Sequence, residues 1–395
     1  MQLFLGSLTD WITHISANSI IMMIMMIFMV IGGVDYIRGN KLGYGKEFEE
    51  GFKTMGTLAM AVAAIIAIAP CLSQWIRPLV TPIAHAIGAD PSVVAGILLG
   101  ADMGGYPMAT ALAENEAVGK FNGLIVASIM GPTITFTIPV AFSLIKVKDR
   151  PFLAAGILAG LVSVPLGCLV GGFAMKLTVY KLSLYALLFN TLPIAVIASL
   201  VIVSLWFFPD QVIRSFSAVG TVITGLATGL VVIAVFQQVT GILLPGFCAM
   251  AIPDETTGLT GLESGILVCG EIGIVLVGAF PLMKWITSTF GKELGGIGSR
   301  FGLKKDDCAG MIGGLANLIP LVTSLEKMGS KGKIVSLAFG TGSFAVFGDF
   351  LGFTAGVDQE MLVPMILGKV TAGVAALIIA NFMTPKLLEK IESIK

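Results

Sequence analysis

Long uncharged runs dominate the pattern of hydrophobic and polar positions along this chain. A helix needs about 20 consecutive apolar residues to cross about 30 Å of hydrocarbon. Because several runs reach that length, the pattern predicts an all-α polytopic membrane protein. The composition agrees, since 56% of the residues are hydrophobic and 12% are charged, which excludes a soluble domain. The runs are 11–34, 54–76, 121–145, 151–175, 182–209 and 215–253.

Basic residues are concentrated in some of the segments between these runs, whereas other segments carry only acidic charges. Lys and Arg favour cytoplasmic loops, so the distribution predicts an external N-terminus and a cytoplasmic C-terminus. The basic segments are 38–53, 146–150, 284–305, 327–333 and 386–395, and the acidic ones are 1–10, 254–263 and 357–360.

Two apolar segments are interrupted near their middle. Three apolar segments separate the first two basic clusters, and this odd number of crossings means that one of them does not cross. The candidate is 91–113, which contains polar and helix-breaking residues from Asp102 to Pro107. The same argument applies to 306–326, broken near Asn317. The pattern predicts about nine full transmembrane helices plus two re-entrant broken-helix hairpins, the first entered from outside and the second from inside.

The two halves of the chain share short motifs at a constant separation. Residues 107–112 match 320–325, and Gly119-Lys120 matches Gly332-Lys333. Each half is predicted to have four full spans, and the joining span adds a fifth, so the second half has the opposite orientation. Such inverted repeats are the sequence sign of an alternating-access transporter. The predicted organisation is an N-terminal amphipathic segment 1–14, a first repeat 15–176, a linking helix 177–212, a second repeat 213–388 and a cytoplasmic tail 389–395.

Four ionisable residues lie within apolar segments: Asp102, Glu271, Asp349 and Lys369. A charge at membrane depth costs several kcal/mol unless it faces a cavity or a partner, so such residues are candidates for a functional site. Two structural alternatives stay open. Asp349 and Lys369 lie equally far along adjacent segments and could neutralise each other, and Glu271 is close enough to Glu263 to reach the external interface.

Glycines and prolines mark the predicted breaks. They leave backbone groups without helical partners, which a membrane tolerates only beside protein or a wet cavity. Clustered glycines such as Gly104-Gly105 favour contact with a ligand, whereas isolated ones favour close helix packing. The substrate site of an inverted-repeat transporter lies where the breaks meet.

Other functional classes find little support. The chain has 24 basic and 24 acidic residues, which argues against nucleic acid as a partner. His14 and His85 form no ligand cluster, so neither a metal site nor a cofactor is predicted. No nucleophile-elbow spacing is present, so the chain is not expected to be an enzyme and no catalytic residue is assigned.

Several motifs, taken in order, resemble the ethanolamine-utilisation transporter family (EutH) over nearly the whole chain. The resemblance implies a permease of the bacterial inner (plasma) membrane that admits ethanolamine for breakdown inside the cell. Glu271 stands where this family is expected to have a small polar residue. The motifs are Ala89-Asp90-Pro91-Ser92, Asp102-Met103-Gly104-Gly105, Met130-Gly131-Pro132-Thr133, Asn317-Leu318-Ile319-Pro320 and Gly348-Asp349-Phe350-Leu351-Gly352-Phe353.

Protonated ethanolamine requires a carboxylate for its ammonium group and a short polar group for its hydroxyl. Asp102 and Asp349 can supply the carboxylate, and aromatic residues beside the breaks can add cation–π contacts. The full set of expected substrate-binding residues is Asp102, Gly104, Gly105, Tyr106, Thr110, Glu271, Asn317, Thr323, Asp349 and Phe353.

Two alternatives share most of these features: an ion-coupled carrier for another small organic cation, and a cation or ammonium channel. The sequence does not separate facilitated from sodium- or proton-coupled movement.

Besides membrane lipid, a second copy of the chain is an expected partner, because the methionine-rich first span offers an adaptable packing surface from Met22 to Met29.

Overall fold

The computed structural model describes residues 6, 9, 11–13, 15–98, 105–133, 137–254 and 257–394, and the regular elements within them are all helical. The α-helices are α1 Ala17–Ile37, α2 Tyr44–Leu58, α3 Ala64–Ala86, α4 Ser92–Leu98, α5 Gly105–Leu112, α6 Glu116–Lys120, α7 Ala127–Ile129, α8 Ile138–Leu144, α9 Arg150–Leu161, α10 Val164–Ala174, α11 Leu184–Phe207, α12 Pro209–Thr240, α13 Gly261–Arg300, α14 Lys305–Gly314, α15 Leu318–Ser324, α16 Ser330–Ser343, α17 Asp349–Val357 and α18 Leu362–Ile394. The π-helix Ala59–Ala63 joins α2 to α3, and the π-helix Phe121–Val126 joins α6 to α7.

Six helices in the described ranges are long and apolar enough to cross a membrane, and a bent pair would make a seventh. The two members of that pair, Val147–Leu161 and Val164–Leu177, meet at 41°. These helices confirm the all-helical, multi-pass membrane class. The six are Ala17–Ile37, Ala64–Ala86, Leu184–Phe207, Pro209–Thr240, Gly261–Gly291 and Gln359–Glu392.

The predicted count of about nine spans depends on two further segments, and neither is a single long helix. Residues 344–348 interrupt the segment that holds Asp349 and separate α16 from α17. In the run 121–145, residues 134–136 lie outside the described part of the chain. The total number of crossings therefore stays a prediction.

The apolar run 215–253 contains a membrane-capable helix but is not helical to its end. α12 ends at Thr240, and Gly241 follows it with a φ of 71°, a left-handed conformation that glycine adopts without steric cost. The remainder of the run leaves the helix and contains only a short 3-10 helix, Cys248–Met250. This apolar run therefore forms a membrane-capable helix followed by a loop.

Both predicted interruptions are helical hairpins. In hairpin 1, formed by α4 and α5, Asp90 Oδ2 accepts a hydrogen bond from the backbone N–H of Glu114 at 3.0 Å, so the two ends of the segment lie together. In hairpin 2, formed by α14 and α15, an ideal Cβ at Gly313 would lie 2.9 Å from the Pro320 side chain. The two helices of each hairpin therefore pack on one another, while their re-entry into the bilayer remains a prediction.

The same order of elements occurs in both halves. A long helical segment, a hairpin, shorter helices and a further long segment follow one another from α2 to α10 and again from α13 to α18 in the described residues. One difference is that α9 and α10 are bent relative to each other, whereas α18 is continuous. The duplication and the opposite orientation of the halves stay predictions and are taken up below as part of the proposal.

Glycines join the halves closely. An ideal Cβ at Gly156 of α9 would lie 2.5 Å from Leu337 Cβ, and one at Gly160 would lie 2.5 Å from Thr341 Cβ. Both contacts are to α16, so two glycines one turn apart let α9 and α16 approach without side chains between them. At these positions, packing rather than ligand contact explains the glycine.

Candidate functional site

Two cavities lie beside the two hairpins. The hairpin-1 cavity has a volume of about 780 Å³ and is lined by parts of α5, α13 and α17 and by the loop before α13. It brings together four of the ten residues that the sequence predicted for the site: Tyr106, Thr110, Glu271 and Phe353. Residues from distant parts of both halves therefore share one cavity.

The chemistry of the hairpin-1 cavity suits an organic cation. Glu271 is exposed to the cavity, and within the described part of the chain it forms no hydrogen bond or ion pair. The rings of Tyr106 and Phe353 meet edge to face with centroids 6.1 Å apart. A carboxylate beside aromatic rings can bind an ammonium group by charge and by cation–π attraction.

The hydroxyl proton of Thr110 is already used in hydrogen bonds within its own helix. Its Oγ1 donates to the carbonyls of Pro107 and Tyr106, at 2.9 Å and 3.1 Å, within its own helix. Its oxygen can still accept a hydrogen bond from a ligand that enters the cavity.

Asp349 lies where two interruptions of the second half meet. Its Oδ2 accepts a hydrogen bond from Nδ2 of Asn317 at 3.2 Å. Asp349 is the first residue of α17, and Asn317 precedes α15, where its Oδ1 accepts from the N–H of Ile319 at 3.0 Å. A carboxylate is favoured at a helix N-terminus, because the helix dipole is positive there.

Backbone hydrogen bonds hold this junction together. The N–H of Ala345 donates to the carbonyl of Gly314 at 2.9 Å, and that of Phe347 donates to the carbonyl of Leu315 at 3.1 Å. The tip of hairpin 2 thereby pairs with the break between α16 and α17. At Gly348 the carbonyl of Ala316 occupies the space of a side chain, so only glycine permits this approach.

The hairpin-2 cavity, with a volume of about 840 Å³, reaches the same junction from the other side. Gly313, Ala316 and Pro320 of hairpin 2 line it together with the second part of α13, from Phe280 to Ser299. Ala316 is the residue before Asn317, so the cavity ends next to the Asn317–Asp349 pair.

α17 and α13 separate the two cavities. The C-terminal part of α17 lines the hairpin-1 cavity, whereas its N-terminal Asp349 lies at the hairpin-2 tip. Between them, Leu276 of α13 fills the space where a side chain at Gly352 would lie. Packed side chains of α13 and α17 therefore lie between the two cavities, with Glu271 lining the first and Asp349 at the hairpin-2 tip beside the second.

Two predicted residues are not brought together with these groups, and two more lie outside the described part of the chain. Thr323 is exposed and donates to the Ile319 carbonyl of its own helix at 2.9 Å. Gly105 is buried at the start of α5 and does not line the cavity. Asp102 and Gly104 lie outside the described residues.

The alternative ion pair between Asp349 and Lys369 is not formed. Lys369 is 0% exposed, and its Nζ donates to the Ser128 carbonyl at 2.5 Å. Its ammonium group also lies over the rings of Phe344 and Phe350, 4.9 Å and 4.2 Å from their centroids. Asp349 is therefore not neutralised by a direct contact with this lysine.

The sequence argument missed an ion pair beside the hairpin-1 cavity. Lys120 Nζ lies 2.8 Å from Asp358 Oδ2 and donates to the Tyr106 hydroxyl, also at 2.8 Å. Burial lowers the pKa of Lys120, but the contacts with Asp358 and Tyr106 outweigh it and raise this pKa above its usual value. Only the repeated Gly-Lys motif pointed to Lys120, and it gave no indication of its partner.

Known proteins similar to this chain share one description. A family model described as "Ethanolamine utilisation protein, EutH" matches residues 17–383. The chain is 42% identical over 378 residues to the probable ethanolamine permease EutH of Listeria monocytogenes serotype 1/2a (strain 10403S), which covers 95% of this chain and 96% of the relative.

It is also 37% identical over 393 residues to the probable ethanolamine permease EutH of Escherichia coli (strain K12), covering 93% of this chain and 96% of the relative. The uncharacterized protein YxeR of Bacillus subtilis (strain 168) is 38% identical over 371 residues, covering 94% and 96%. No solved structure matches.

Proposed function

Because this chain belongs to the EutH family of ethanolamine utilisation proteins, we propose that it carries protonated ethanolamine across the bacterial inner membrane by alternating access. It is a transporter of a permease family rather than an enzyme. The names of its relatives support ethanolamine as the substrate, and the chemistry of the two cavities supports a small organic cation.

The observation that carries the proposal is the position of α17. This short helix extends from the hairpin-1 cavity, which Glu271 lines, to the Asn317–Asp349 pair beside the hairpin-2 cavity. In the proposed cycle, ethanolammonium enters the hairpin-1 cavity at Glu271, Tyr106 and Phe353. It then moves to Asp349, where Asn317 can bind its hydroxyl, and leaves through the hairpin-2 cavity.

Asp102 and the neighbouring Gly104 belong to the proposal on the sequence argument alone. A carboxylate at the tip of hairpin 1 would complement the Asn317–Asp349 pair at the tip of hairpin 2. The proposed inverted arrangement of the halves, with an external N-terminus and a cytoplasmic C-terminus, places the two hairpins on opposite faces of the membrane.

A carrier agrees with the structure better than a channel does. A channel requires a continuous polar path, whereas the apolar side chain of Leu276 packs against α17 at Gly352, between the two cavities. In proteoliposomes, unlabelled internal ethanolamine should accelerate the entry of labelled ethanolamine, as counterflow through a carrier requires. Entry that does not respond to internal substrate would favour the channel.

The substrate site is tested by substitutions that remove charge and keep size. Asp349→Asn should weaken ethanolamine binding at least tenfold, because loss of one partner of a buried charge pair costs about 2–5 kcal/mol and about 1.4 kcal/mol is one decade. Glu271→Gln should weaken binding by less, because Glu271 is exposed and an exposed charge pair contributes about 1 kcal/mol or less. Glu326→Gln is the matched control, since this acid is 52% exposed and pairs with Lys146 on the surface. Folded Asp349→Asn and Glu271→Gln proteins that bind like the parent would remove both residues from the site.

A second copy of the chain remains part of the proposal. α1 is mostly exposed, although Met25 is buried within its own subunit and cannot contribute to a dimer contact. Met23 is exposed and available to a partner or to lipid, whereas Met22 and Met26 pack in part against the core of their own subunit. Mass photometry in nanodiscs that shows only monomers would contradict the homodimer.

A further inference from the structure

One buried amine has no role in the transport path described so far. Lys369 is 0% exposed, and no carboxylate among the described residues pairs with it. Its environment is one backbone carbonyl, from Ser128, and the faces of Phe344 and Phe350. Carbonyl oxygens and aromatic faces stabilise an ammonium group, but they do not cancel its charge.

The contacts of this amine come from both halves of the chain. Ser128 belongs to α7, in the first half. Phe344 lies in the break between α16 and α17, and Phe350 follows Asp349 directly in the chain. The amine therefore contacts the residue next to the proposed cation-binding carboxylate.

Few other groups near Lys369 can exchange a proton. Among the described residues packed around it, the one titratable side chain that acts on it is Cys168 of α10, which is fully buried. Phe344, in the break between α16 and α17, and Phe350, in α17, present their rings to the ammonium group, and Phe350 directly follows Asp349 in the chain. Lys369 therefore contacts the residue next to Asp349, where the substrate cation is proposed to bind.

We propose that Lys369 is the proton-exchanging residue of this carrier, charged in the empty site and neutral when ethanolammonium binds beside Asp349. The inference rests on the proposed function. The carboxylate compensates one positive charge, either the ammonium of Lys369 or that of the substrate, because two cations in a low-dielectric site repel each other. Binding of ethanolammonium therefore drives the N–H proton from Lys369 to water, and the amine nitrogen keeps the electron pair.

The proposed exchange makes transport electroneutral, since one ethanolammonium enters for each proton that leaves in the opposite direction. A pH gradient that is acidic inside should then drive ethanolamine accumulation in proteoliposomes. A membrane potential at equal pH should have no effect on the final distribution.

The first experiment measures proton release on binding. Ethanolamine is added to the purified parent protein in weak buffer with a pH-sensitive dye. The parent should release protons in proportion to bound ethanolamine, whereas Lys369→Met should bind ethanolamine without release. Lys386→Met is the matched control, because Lys386 is an exposed lysine on the same helix. Cys168→Ala should still release protons, and loss of the release in this variant would assign the proton to the thiol and overturn the role of Lys369.

The second experiment compares uptake with and without a pH gradient. The parent and Lys386→Met should accumulate ethanolamine severalfold when the lumen is acidic, and Lys369→Met should only equilibrate it. A parent protein that neither binds nor exchanges ethanolamine would refute the proposed function itself. A parent that transports ethanolamine without proton release or gradient response would refute only the inference about Lys369, and this result does not depend on whether a Lys369 variant folds.

Discussion

Lys120 of the first predicted repeat and Asp358 of the second form a buried ion pair, with Nζ 2.8 Å from Oδ2. The matched lysine of the second repeat, Lys333, pairs with Asp149 of the first repeat at 2.5 Å. In each pair the aspartate lies shortly before a long helical segment, α18 or α9. In one contact the lysine comes from the first half and the aspartate from the second, and in the other contact the reverse is true. A two-fold relation between the halves would produce this exchange.

The buried pair makes a prediction about stability. Asp358→Ala leaves Lys120 buried without its counter-ion, and we expect a loss of about 3–5 kcal/mol. Replacing both partners, as in Lys120→Met with Asp358→Leu, should recover much of that loss, because no unpaired charge then remains. Thermal unfolding in a mild detergent measures both effects.

The surface pair Lys146–Glu326 provides the control for this prediction. Its side chains are 58% and 52% exposed, so Glu326→Ala should cost no more than about 1 kcal/mol. An equal loss for Asp358→Ala and Glu326→Ala would show that the Lys120–Asp358 pair does not join the halves in the folded protein.

Two polar residues of hairpin 2 should differ in their effect on substrate binding. Asn317→Ala removes the donor to Asp349 and a possible partner for the substrate hydroxyl, so we expect about tenfold weaker ethanolamine binding. Thr323→Ala should bind like the parent, because Thr323 is exposed and uses its hydroxyl within its own helix. Titration calorimetry of the two variants gives the comparison, and weaker binding by Thr323→Ala alone would reverse the assignment.

The hairpins could be predicted from the sequence because their cause is local. Asp102 to Pro107, and Asn317 with Pro320, interrupt apolar segments with residues that cannot continue a buried helix. The pairing of Lys120 with Asp358 could not be predicted in the same way. It depends on how the two halves pack against each other, and a repeated motif identifies equivalent positions but not their contacts.

The sequence also could not decide whether Asp349 pairs with Lys369 or whether Glu271 reaches the external interface, because both depend on packing between helices. Equal distance along adjacent segments made an Asp349–Lys369 pair reasonable, but the direction of each side chain decides the contact. The Lys369 side chain is directed toward Ser128 instead. Glu271 lines a cavity because hairpin 1 and the C-terminal part of α17 lie against α13, an arrangement that no pattern within α13 reveals.

Close packing of α9 on α16 makes a further prediction about stability. In Gly160→Ala the new methyl group would meet Thr341 Cβ at 2.5 Å, so the helices must separate, and we expect a loss of about 1–3 kcal/mol. Gly225→Ala is the matched control within α12, because nothing lies within 4 Å of its ideal Cβ. That change should be neutral or stabilising by up to about 1 kcal/mol, since alanine favours a helix. Equal unfolding temperatures for the two variants would contradict the close contact.

The inverted arrangement of the halves is tested by the faces on which the ends of hairpin 1 lie. Asp90 and Glu114 are hydrogen-bonded, so the chain enters and leaves this hairpin at one place, which the charge pattern predicts to be external. In a protein without its native cysteines, single cysteines at Ile87 and Glu116, both exposed, should each react with a membrane-impermeant thiol reagent added outside intact cells. A cysteine at Lys331, beside the end of hairpin 2, should react only after the membrane is opened, because an odd number of crossings separates equivalent positions in inverted repeats. Labelling of Ile87, Glu116 and Lys331 variants from the same side would show that the halves run parallel, and the alternating-access proposal would lose its structural basis.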